Sequence, residues 1–356
     1  MDTHSSQKQS QERTPSASEV PEISIFGAGS IGCYIGGRLL ASGARVKLVG
    51  RERMGRTLQE HSLTISDYLG YRQQVNLPDG CFNTSASAIK HSDVVLVTVK
   101  SAATEEAGEQ LAPLLKPGTL VVSFQNGISN ADRLRERLPL CTVLAGMVPF
   151  NVLQESPGHF HQGTEGHLSI QRTDELTTTI AEMFSKAGLP LELHSDMTSV
   201  MWSKLLLNLN NPINALSGIP LKEQLSKRDY RRCLALAQKE TLNLLQHAGI
   251  KTIRLTAVPT PWLPYVMQLP DWLFTRLASR MLAIDPVARS SMWEDLQAGR
   301  QTEIDWINGE VTRLASNLGQ QAPVNQRLIE LVHQAENGNQ TTWKADSLYQ
   351  DLLRAN

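Results

Sequence analysis

The stretch Ile23-Ser-Ile-Phe-Gly27-Ala28-Gly29-Ser30-Ile31-Gly32 is the most informative of the chain, because it joins a short apolar run to glycines in a G-x-G-x-x-G spacing. Ile23–Phe26 predicts a strand, and Ile31–Ala41 predicts a helix that stops at Gly43. In this context the first glycine allows a tight turn, the second admits a pyrophosphate and the third lets the helix pack on the sheet. The alternative is a plain strand–turn–helix with glycine for geometry. We favour a dinucleotide site made by Gly27, Ala28, Gly29, Ser30, Ile31 and Gly32.

The residue after the second predicted strand, Arg45–Val49, distinguishes NAD from NADP. Arg51 stands about where an Asp or Glu would bind the ribose 2′-hydroxyl of NAD. A carboxylate would repel a 2′-phosphate, whereas a guanidinium can hold it with two parallel hydrogen bonds. Arg51 therefore predicts NADP(H), with Arg53 and Arg56 as helpers; the alternative is a solvated surface charge.

The pattern of apolar residues changes once along the chain, near Met197. Further β-branched runs of strand length occur at 93–99, 119–124 and 143–148, separated by helical stretches, which predicts a mostly parallel sheet. After Met197 the runs 202–209, 231–248, 291–298 and 303–318 have helical spacing, with Gly249 and Gly319 at expected helix ends. We predict a disordered tail over 1–21, an α/β Rossmann-type domain over 22–195 and an all-α domain over 196–356.

The composition and net charge of the chain argue against several classes of function. The 356 residues are 41% hydrophobic and carry a net charge of −1, which gives no reason to expect a nucleic-acid or membrane-surface partner. The cysteines form no CxxC pair, which argues against disulfides and a zinc site, so no metal is predicted. The polar N-terminus does not read as a signal peptide, and no run approaches the roughly 20 apolar residues of a membrane span. We expect a cytoplasmic protein.

Two polar segments follow predicted strands where a sheet of this kind binds its ligand. Lys100 ends one run, and Asn126 precedes Gly127 after another. Their positions alone do not distinguish a ligand contact from a structural role. Lys100 could be a surface charge, and Asn126-Gly127 could be only a turn.

With these residues assembled, the chain resembles the ketopantoate reductase (2-dehydropantoate 2-reductase) family over roughly 22–335. The matching features are the glycine motif with its arginine, Val-Lys100, Gln-Asn126-Gly127, Trp202-Ser-Lys204-Leu-Leu-Leu-Asn208, and the stretch from Ser290-Ser291-Met292 through Arg300-Gln-Thr-Glu303-Ile-Asp305 to Asn308-Gly309. The resemblance implies a Rossmann domain, a helical domain, and an active site in the cleft between them.

The resemblance also implies the roles of the site residues. Lys204 would be the general acid and Glu303 would contact the substrate, while Asn208, Ser291 and Asn126 would contact substrate or cofactor. It implies NADPH-dependent reduction of ketopantoate to pantoate, for pantothenate and coenzyme A synthesis. The alternatives are a related reductase of another 2-keto acid or ketone, and a non-catalytic NADPH-binding sensor or scaffold.

The chemistry places demands on Lys204. Hydride delivery to a carbonyl carbon puts negative charge on the oxygen. A cation stabilises this charge, and a proton donor then converts the oxygen to a hydroxyl group. Lysine can do both if desolvation lowers its pKa, and the apolar neighbours of Lys204 make that plausible. The alternative is a boundary lysine whose stem covers apolar surface. Asn208 shares its helix face, and Pro212 should kink the helix at Asn208.

Ser291 and Glu303 would be about 18 Å apart on one straight helix, too far to grip one small molecule. Both Ser291–Glu294 and Thr302–Asp305 read as capping boxes, with Gly299 between them as a stop. We therefore predict two helices that begin near these residues. The alternative is that Ser291 and Thr302 only cap helices and do not contact the substrate.

Three departures from the family pattern stand out. A second asparagine expected four residues after Asn208 is replaced by Pro212, which leaves Asn211 or Asn214 as candidates. Leu221-Lys222 stands where a further asparagine is expected. The apolar, Pro- and Trp-rich stretch 252–289 could form a lid, a homodimer contact or an interfacial helix pair, although additional core helices are the favoured reading.

Overall fold

The computed structural model describes residues 21–173, 175–277, 288–338 and 342–356. The predicted disordered tail therefore lies outside the described residues, except for Pro21. Within the described ranges, no helix combines the length and the apolarity that crossing a bilayer requires.

In the described residues, twelve strands form two sheets, and these twelve all lie before residue 195. The strands are β1 (Ile23–Phe26), β2 (Val46–Val49), β3 (Leu63–Asp67), β4 (Arg72–Val75), β5 (Phe82–Asn83), β6 (Val94–Val97), β7 (Leu120–Ser123), β8 (Thr142–Met147), β9 (Val152–Ser156), β10 (His159–Gln162), β11 (Leu168–Gln171) and β12 (Leu191–His194). The main sheet has the order β12-β11-β8-β7-β6-β1-β2-β5, and only the β8–β11 pair is antiparallel. The prediction of an α/β domain with a mostly parallel sheet is confirmed.

Helices cover both faces of the main sheet, which explains why its central strands are continuous apolar runs. Alternate residues of β6 enter two different cores, Val94 and Leu96 on one side and Val95 and Val97 on the other. The helices of this part are α1 (Ser30–Ala41), α2 (Glu52–His61), α3 (Thr104–Leu111), α4 (Asn130–Arg137) and α5 (Glu175–Lys186), with short 3-10 turns at Ala86–Ile89 and Ser101–Ala103.

A second, four-stranded sheet in the order β4-β3-β10-β9 was not predicted. It packs against α1, where Gly37 permits close approach, since a Cβ there would lie 2.8 Å from a methyl group of Ile65. Its strands are short, and three of the four residues of β4 are exposed, so they lack a clear apolar run.

The remainder of the described chain is helical, as predicted. Its helices are α6 (Met197–Asn208), α7 (Asn210–Ser217), α8 (Leu221–Ser226), α9 (Arg228–His247), α10 (Leu263–Met267), α11 (Asp271–Leu277), α12 (Ser291–Gln297), α13 (Ile304–Asn317), α14 (Pro323–Glu336) and α15 (Ala345–Ala355), with a 3-10 turn at Thr260–Trp262. Gly249 and Gly319 follow helix ends with φ of +67° and +65°, as the sequence indicated. We keep the boundary near residue 195 as a proposal.

The stretch 252–289 contributes to the helical core in part. Met267 and Phe274 are buried there, in agreement with additional core helices. Trp262, Tyr265 and Trp272 are instead exposed. Residues 278–287 lie outside the described residues, and the lid, dimer-contact and interfacial roles stay predictions.

Arg231 is a fully buried guanidinium that joins α9 to the segment after it. It donates to the carbonyl oxygens of Leu225, Met267 and Leu269 at 2.9, 3.2 and 2.7 Å, and stacks on the ring of Phe274. Buried carbonyl groups without donors are costly, so this one side chain fixes the course of the chain through 267–274.

We expect Arg231→Ala to lower the free energy of unfolding by about 3 kcal/mol or more, because three carbonyl oxygens lose their donor in the interior. Arg232→Ala is the matched control, since Arg232 is more exposed and pairs with Asp229; its loss should cost about 1 kcal/mol or less. Urea denaturation followed by circular dichroism measures both. Equal losses would contradict this account of Arg231.

Candidate active site

The glycine loop between β1 and α1 meets the steric demands of a phosphate-binding turn. Gly27 has a φ of +115°, and a Cβ there would lie 2.6 Å from the amide nitrogen of Val99. A Cβ at Gly32 would lie 2.4 Å from the carbonyl oxygen of Gly27, so only glycine lets α1 begin this close to the turn. A Cβ at Gly29 would have only the Gly27 oxygen within reach, at 4.0 Å, which leaves its backbone open to a ligand. The loop therefore fits a dinucleotide pyrophosphate.

Ala28, Ser30 and Ile31 complete this loop. Ala28 is buried, whereas Ser30 and Ile31 are only partly buried at the start of α1. The amide of Cys33 donates to the Gly29 oxygen and closes the first turn. The amides at the beginning of the helix therefore remain the donors that an anion would use.

Arg51 is exposed at the N-terminus of α2, directly after β2. In the described part of the chain no carboxylate lies within ion-pair distance of its guanidinium, whereas Arg56 is paired with Glu52 at 2.7 Å. An unpaired guanidinium at this strand end suits a 2′-phosphate.

Glu303 lies at the N-terminus of α13, is 7% exposed, and reaches across to the first domain. Its Oε1 accepts hydrogen bonds from the amide and hydroxyl of Ser101, at 3.1 and 2.9 Å. Its Oε2 accepts a hydrogen bond from Nδ2 of Asn126 at 2.9 Å. The structure thus brings two predicted site residues, Glu303 and Asn126, into direct contact.

Lys100 belongs to the same cluster of charges. Its Nζ lies 2.9 Å from Oδ2 of Asp295 and 3.8 Å from Oε2 of Glu303. Burial acts to lower the pKa of Lys100, but the two carboxylates, Glu303 first, outweigh it and raise that pKa above its ordinary value. Lys100 is therefore an ion-paired cation rather than a free surface charge.

Lys204 lies on α6, which Asp196 caps by accepting from the Ser199 amide at 3.1 Å. Its ammonium donates to the carbonyl oxygen of Pro149 at 3.1 Å. Burial lowers the pKa of Lys204 to about 8, as the apolar setting predicted. The lysine therefore remains mostly charged at neutral pH, but gives up its proton more readily than an ordinary lysine.

A small cavity between α6 and the ends of β7 and β8 brings together Asn126, Lys204 and Asn208, whereas Glu303 and Lys100 are not among its lining residues. It is lined by Gln125, Asn126, Gly127, Gly146, Met147, Val148, Met201, Lys204, Leu205 and Asn208. Nδ2 of Asn208 lies 3.4 Å from Oδ1 of Asn126, so the two amides meet across the domains. The predicted break beside Pro212 is confirmed, because α6 ends at Asn208 and α7 begins at Asn210.

The predicted substrate contacts Ser291 and Asn211 do not line this cavity in the described structure. Ser291 is exposed, while Asn211 uses its carbonyl oxygen to accept from the Ser290 hydroxyl at 3.3 Å. The alternative Asn214 is fully buried. Its side-chain oxygen accepts from the Ser290 amide, and its side-chain nitrogen donates to the carbonyl oxygen of Ile219. Asn214 therefore has a structural task.

The predicted helix break between Ser291 and Glu303 is confirmed, with Gly299 at a φ of +62°. The capping residue of the first helix was wrong by one position, because Ser290, not Ser291, accepts from the Trp293 amide at 3.2 Å. At the second helix, Glu303 directly precedes α13 but makes no capping bond with its side chain. The Thr302 hydroxyl accepts from the Ile304 amide at 3.3 Å, as expected of a capping threonine.

Sequence reasoning missed Ser101 and Asp295. Asp295 is 2% exposed and binds both Lys100 and Arg300, the latter at 3.0 Å. The only available signal for Ser101 was its place directly after Lys100 at a strand end. Their partners lie far away in the sequence, so local patterns could not reveal them.

The sequence and the fold match known proteins along most of the chain. The family model described as "Ketopantoate reductase PanE/ApbA" matches residues 23–175, and "Ketopantoate reductase PanE/ApbA C terminal" matches residues 196–336. The 2-dehydropantoate 2-reductase of Halobacterium salinarum is 26% identical over 326 residues, which cover 88% of this chain and 98% of that protein. That of Pyrococcus horikoshii is 26% identical over 321 residues, covering 88% and 97%.

Solved structures agree. A PanE/ApbA family ketopantoate reductase from Ralstonia eutropha has a TM-score of 0.76 and 28% identity, and covers 89% of this chain and 99% of its own. D-mandelate dehydrogenase with NADH and anilino(oxo)acetate shares the fold, with a TM-score of 0.74 and 21% identity over 89% and 98%. Because the two family models together span both the α/β and the helical part, the chain belongs to the ketopantoate reductase family.

Proposed function

We propose that this chain uses NADPH to reduce 2-dehydropantoate (ketopantoate) to pantoate, a step in pantothenate and coenzyme A synthesis. As a member of its family it is an NADP-dependent oxidoreductase that acts on CH–OH groups. The observation that carries the substrate chemistry is Lys204, whose partly buried ammonium lines a cavity with Asn126 and Asn208. This is the arrangement that a ketone oxygen requires as it gathers charge.

When bound, NADPH supplies the hydride that the keto carbon receives. Gly27, Gly29 and Gly32 would shape the turn for its pyrophosphate, and Arg51 would hold its 2′-phosphate. Lys204 stabilises the negative charge on the keto oxygen and then donates the proton that makes the hydroxyl group. Asn208 and Asn126 orient the substrate, and Glu303 accepts a hydrogen bond from a substrate hydroxyl. Ser291 and Asn211 remain proposed substrate contacts.

A reductase of another 2-keto acid is the second candidate. Pro212 stands in place of one family asparagine and Lys222, exposed on α8, in place of another. A polar contact to the substrate is thus missing or comes from elsewhere. A non-catalytic NADPH-binding protein is disfavoured by the complete set of Lys204, Asn208 and Glu303.

We propose that the protein acts on a small-molecule substrate in the cytoplasm. Cys33, Cys81, Cys141 and Cys233 are free thiols, and three of them are buried, which suits a reducing compartment. A homodimer remains part of the proposal, with the exposed aromatic side chains of 260–277 as its candidate contact.

The substrate assignment predicts a clear order of activity. Purified protein with NADPH should reduce ketopantoate with a higher kcat/KM than pyruvate-sized or branched 2-keto acids, measured by loss of NADPH absorbance. A different preferred keto acid would replace the substrate assignment by the second candidate. NADPH binding without turnover of any keto acid would favour the sensor.

We expect Lys204→Ala to lower kcat by roughly 10²-fold or more, the size typical of losing a general acid. In the parent protein kcat for reduction should fall as the pH rises through about 8, because the ammonium then loses its proton. Lys227→Ala, at an exposed lysine paired with Glu223, is the control and should leave the profile intact. Retention of the pH limb in Lys204→Ala would assign it to another group.

We expect Arg51→Ala to raise KM for NADPH by about 10-fold or more while leaving KM for NADH nearly unchanged, because only NADPH carries the 2′-phosphate. Arg137→Ala, at an exposed arginine of α4 that is paired with Glu105 at 3.3 Å, is the control, and its effect should be small. Initial rates with both cofactors decide the point. Equal effects of Arg51→Ala on the two KM values would remove the NADP assignment.

A further inference from the structure

Helix α13 carries a second carboxylate that faces the first domain. Glu310 lies two turns beyond Glu303, so both side chains leave the same side of the helix. Glu310 is 5% exposed, and Glu303 is 7% exposed. Burial of a carboxylate is costly unless hydrogen-bond donors meet it, which makes the partners of Glu310 informative.

Besides Arg313 on its own helix, which lies 2.9 Å from Oε1, the partners of Glu310 are donors at the start of α4. Oε1 of Glu310 accepts from the amides of Ile128 and Ser129, at 3.3 and 3.1 Å, and from the Ser129 hydroxyl at 2.7 Å. Ser129 occupies the N-cap position of α4 but makes no capping bond with its own side chain. The carboxylate of Glu310 therefore caps α4 from the other domain, where negative charge is favoured by the helix dipole.

The chain just before these amides also lies directly on α13. Gly127 has a φ of +95°, and a Cβ there would lie 2.7 Å from the carbonyl oxygen of Trp306. One residue earlier, Asn126 donates to Glu303 and accepts from Asn208. Residues 126–129 are thus attached to one side of α13 at Glu303, Trp306 and Glu310 in succession.

We propose that Glu310 is a positioning residue for the reaction. It does not line the cavity; it holds residues 126–129 against α13 and so fixes the amide of Asn126 between Glu303 and Asn208. The proposal rests on the proposed reductase function, and it extends the site to a contact between the two domains. The Ser101 hydroxyl and the Asn130 amide also donate to the backbone carbonyl oxygen of Asn126. Glu310 adds a further attachment two residues along the chain and so helps to keep the Asn126 amide in one orientation.

Loss of the Glu310 carboxylate should affect turnover of the keto acid and binding of NADPH differently. Without the Glu310 carboxylate the amides of Ile128 and Ser129 lose their acceptor, and the Asn126 amide loses its fixed orientation. The glycine loop and Arg51 are untouched by this change. Turnover of the keto acid should therefore suffer while binding of NADPH does not.

The test compares three variants of the full-length protein. Glu310→Ala should lower kcat/KM for ketopantoate by about 10-fold, the effect of losing one charge-assisted contact, with the dissociation constant of NADPH within about 2-fold of the parent. Glu310→Gln keeps an acceptor oxygen and should recover most of the loss. Arg313→Ala removes the ion-pair partner of Glu310 at 2.9 Å but spares the loop, and should stay within about 2-fold throughout.

Hydrogen exchange measured by mass spectrometry supplies a readout independent of turnover. Peptides that cover 126–134 should exchange faster in Glu310→Ala, near the parent rate in Glu310→Gln, and unchanged in Arg313→Ala. Parent kinetics and exchange in Glu310→Ala would overturn the proposal. So would equal losses in turnover and NADPH binding with a lowered unfolding midpoint, since that pattern is a general structural defect.

The outcome for the proposed function remains distinguishable. A parent protein that ignores ketopantoate contradicts the substrate assignment alone. The role of Glu310 is then judged with the keto acid that the panel identifies and with the exchange rates of 126–134.

Discussion

The hydrogen bonds that Glu303 accepts across the domain boundary are the interaction on which the site depends. A nearly buried carboxylate from the helical part meets the Ser101 amide and hydroxyl and the Asn126 amide, at the ends of β6 and β7. These donors offset the cost of removing the charge from water. They also bring Asn126 within reach of Asn208, so the cavity becomes a single site built by both domains.

Two lysines at this site acquire opposite properties from their surroundings. Lys100 faces the carboxylates of Asp295 and Glu303, which raise its pKa and keep it a permanent cation. Among the described residues, the acceptor for the Lys204 ammonium is a single carbonyl oxygen, and burial lowers the pKa of Lys204 to about 8. Two groups of the same kind thus have pKa values driven apart by their surroundings, so Lys100 stays charged while Lys204 gives up its proton more readily.

The sequence predicted what is determined by local geometry. The glycine loop, the break beside Pro212 and the stop at Gly299 follow from backbone restrictions of single residues, and all three are found. The four-stranded sheet escaped prediction because β4 has one buried residue in four and offers no periodic apolar signal. Contacts such as Ser101 with Glu303 join positions 202 residues apart, and only the tertiary fold brings them together.

In the glycine loop, Gly27 is required by the fold, whereas Gly29 is the position suited to cofactor recognition. At Gly27 the neighbouring strand leaves no room even for a methyl group, so any side chain there disturbs the seam between β1 and β6 before a nucleotide arrives. At Gly29 the surroundings are open, as the close approach of a ligand to the backbone would require. A side chain at Gly27 would therefore disturb the fold itself, whereas a side chain at Gly29 would obstruct only a molecule that approaches the loop. The G-x-G-x-x-G pattern does not distinguish these two positions.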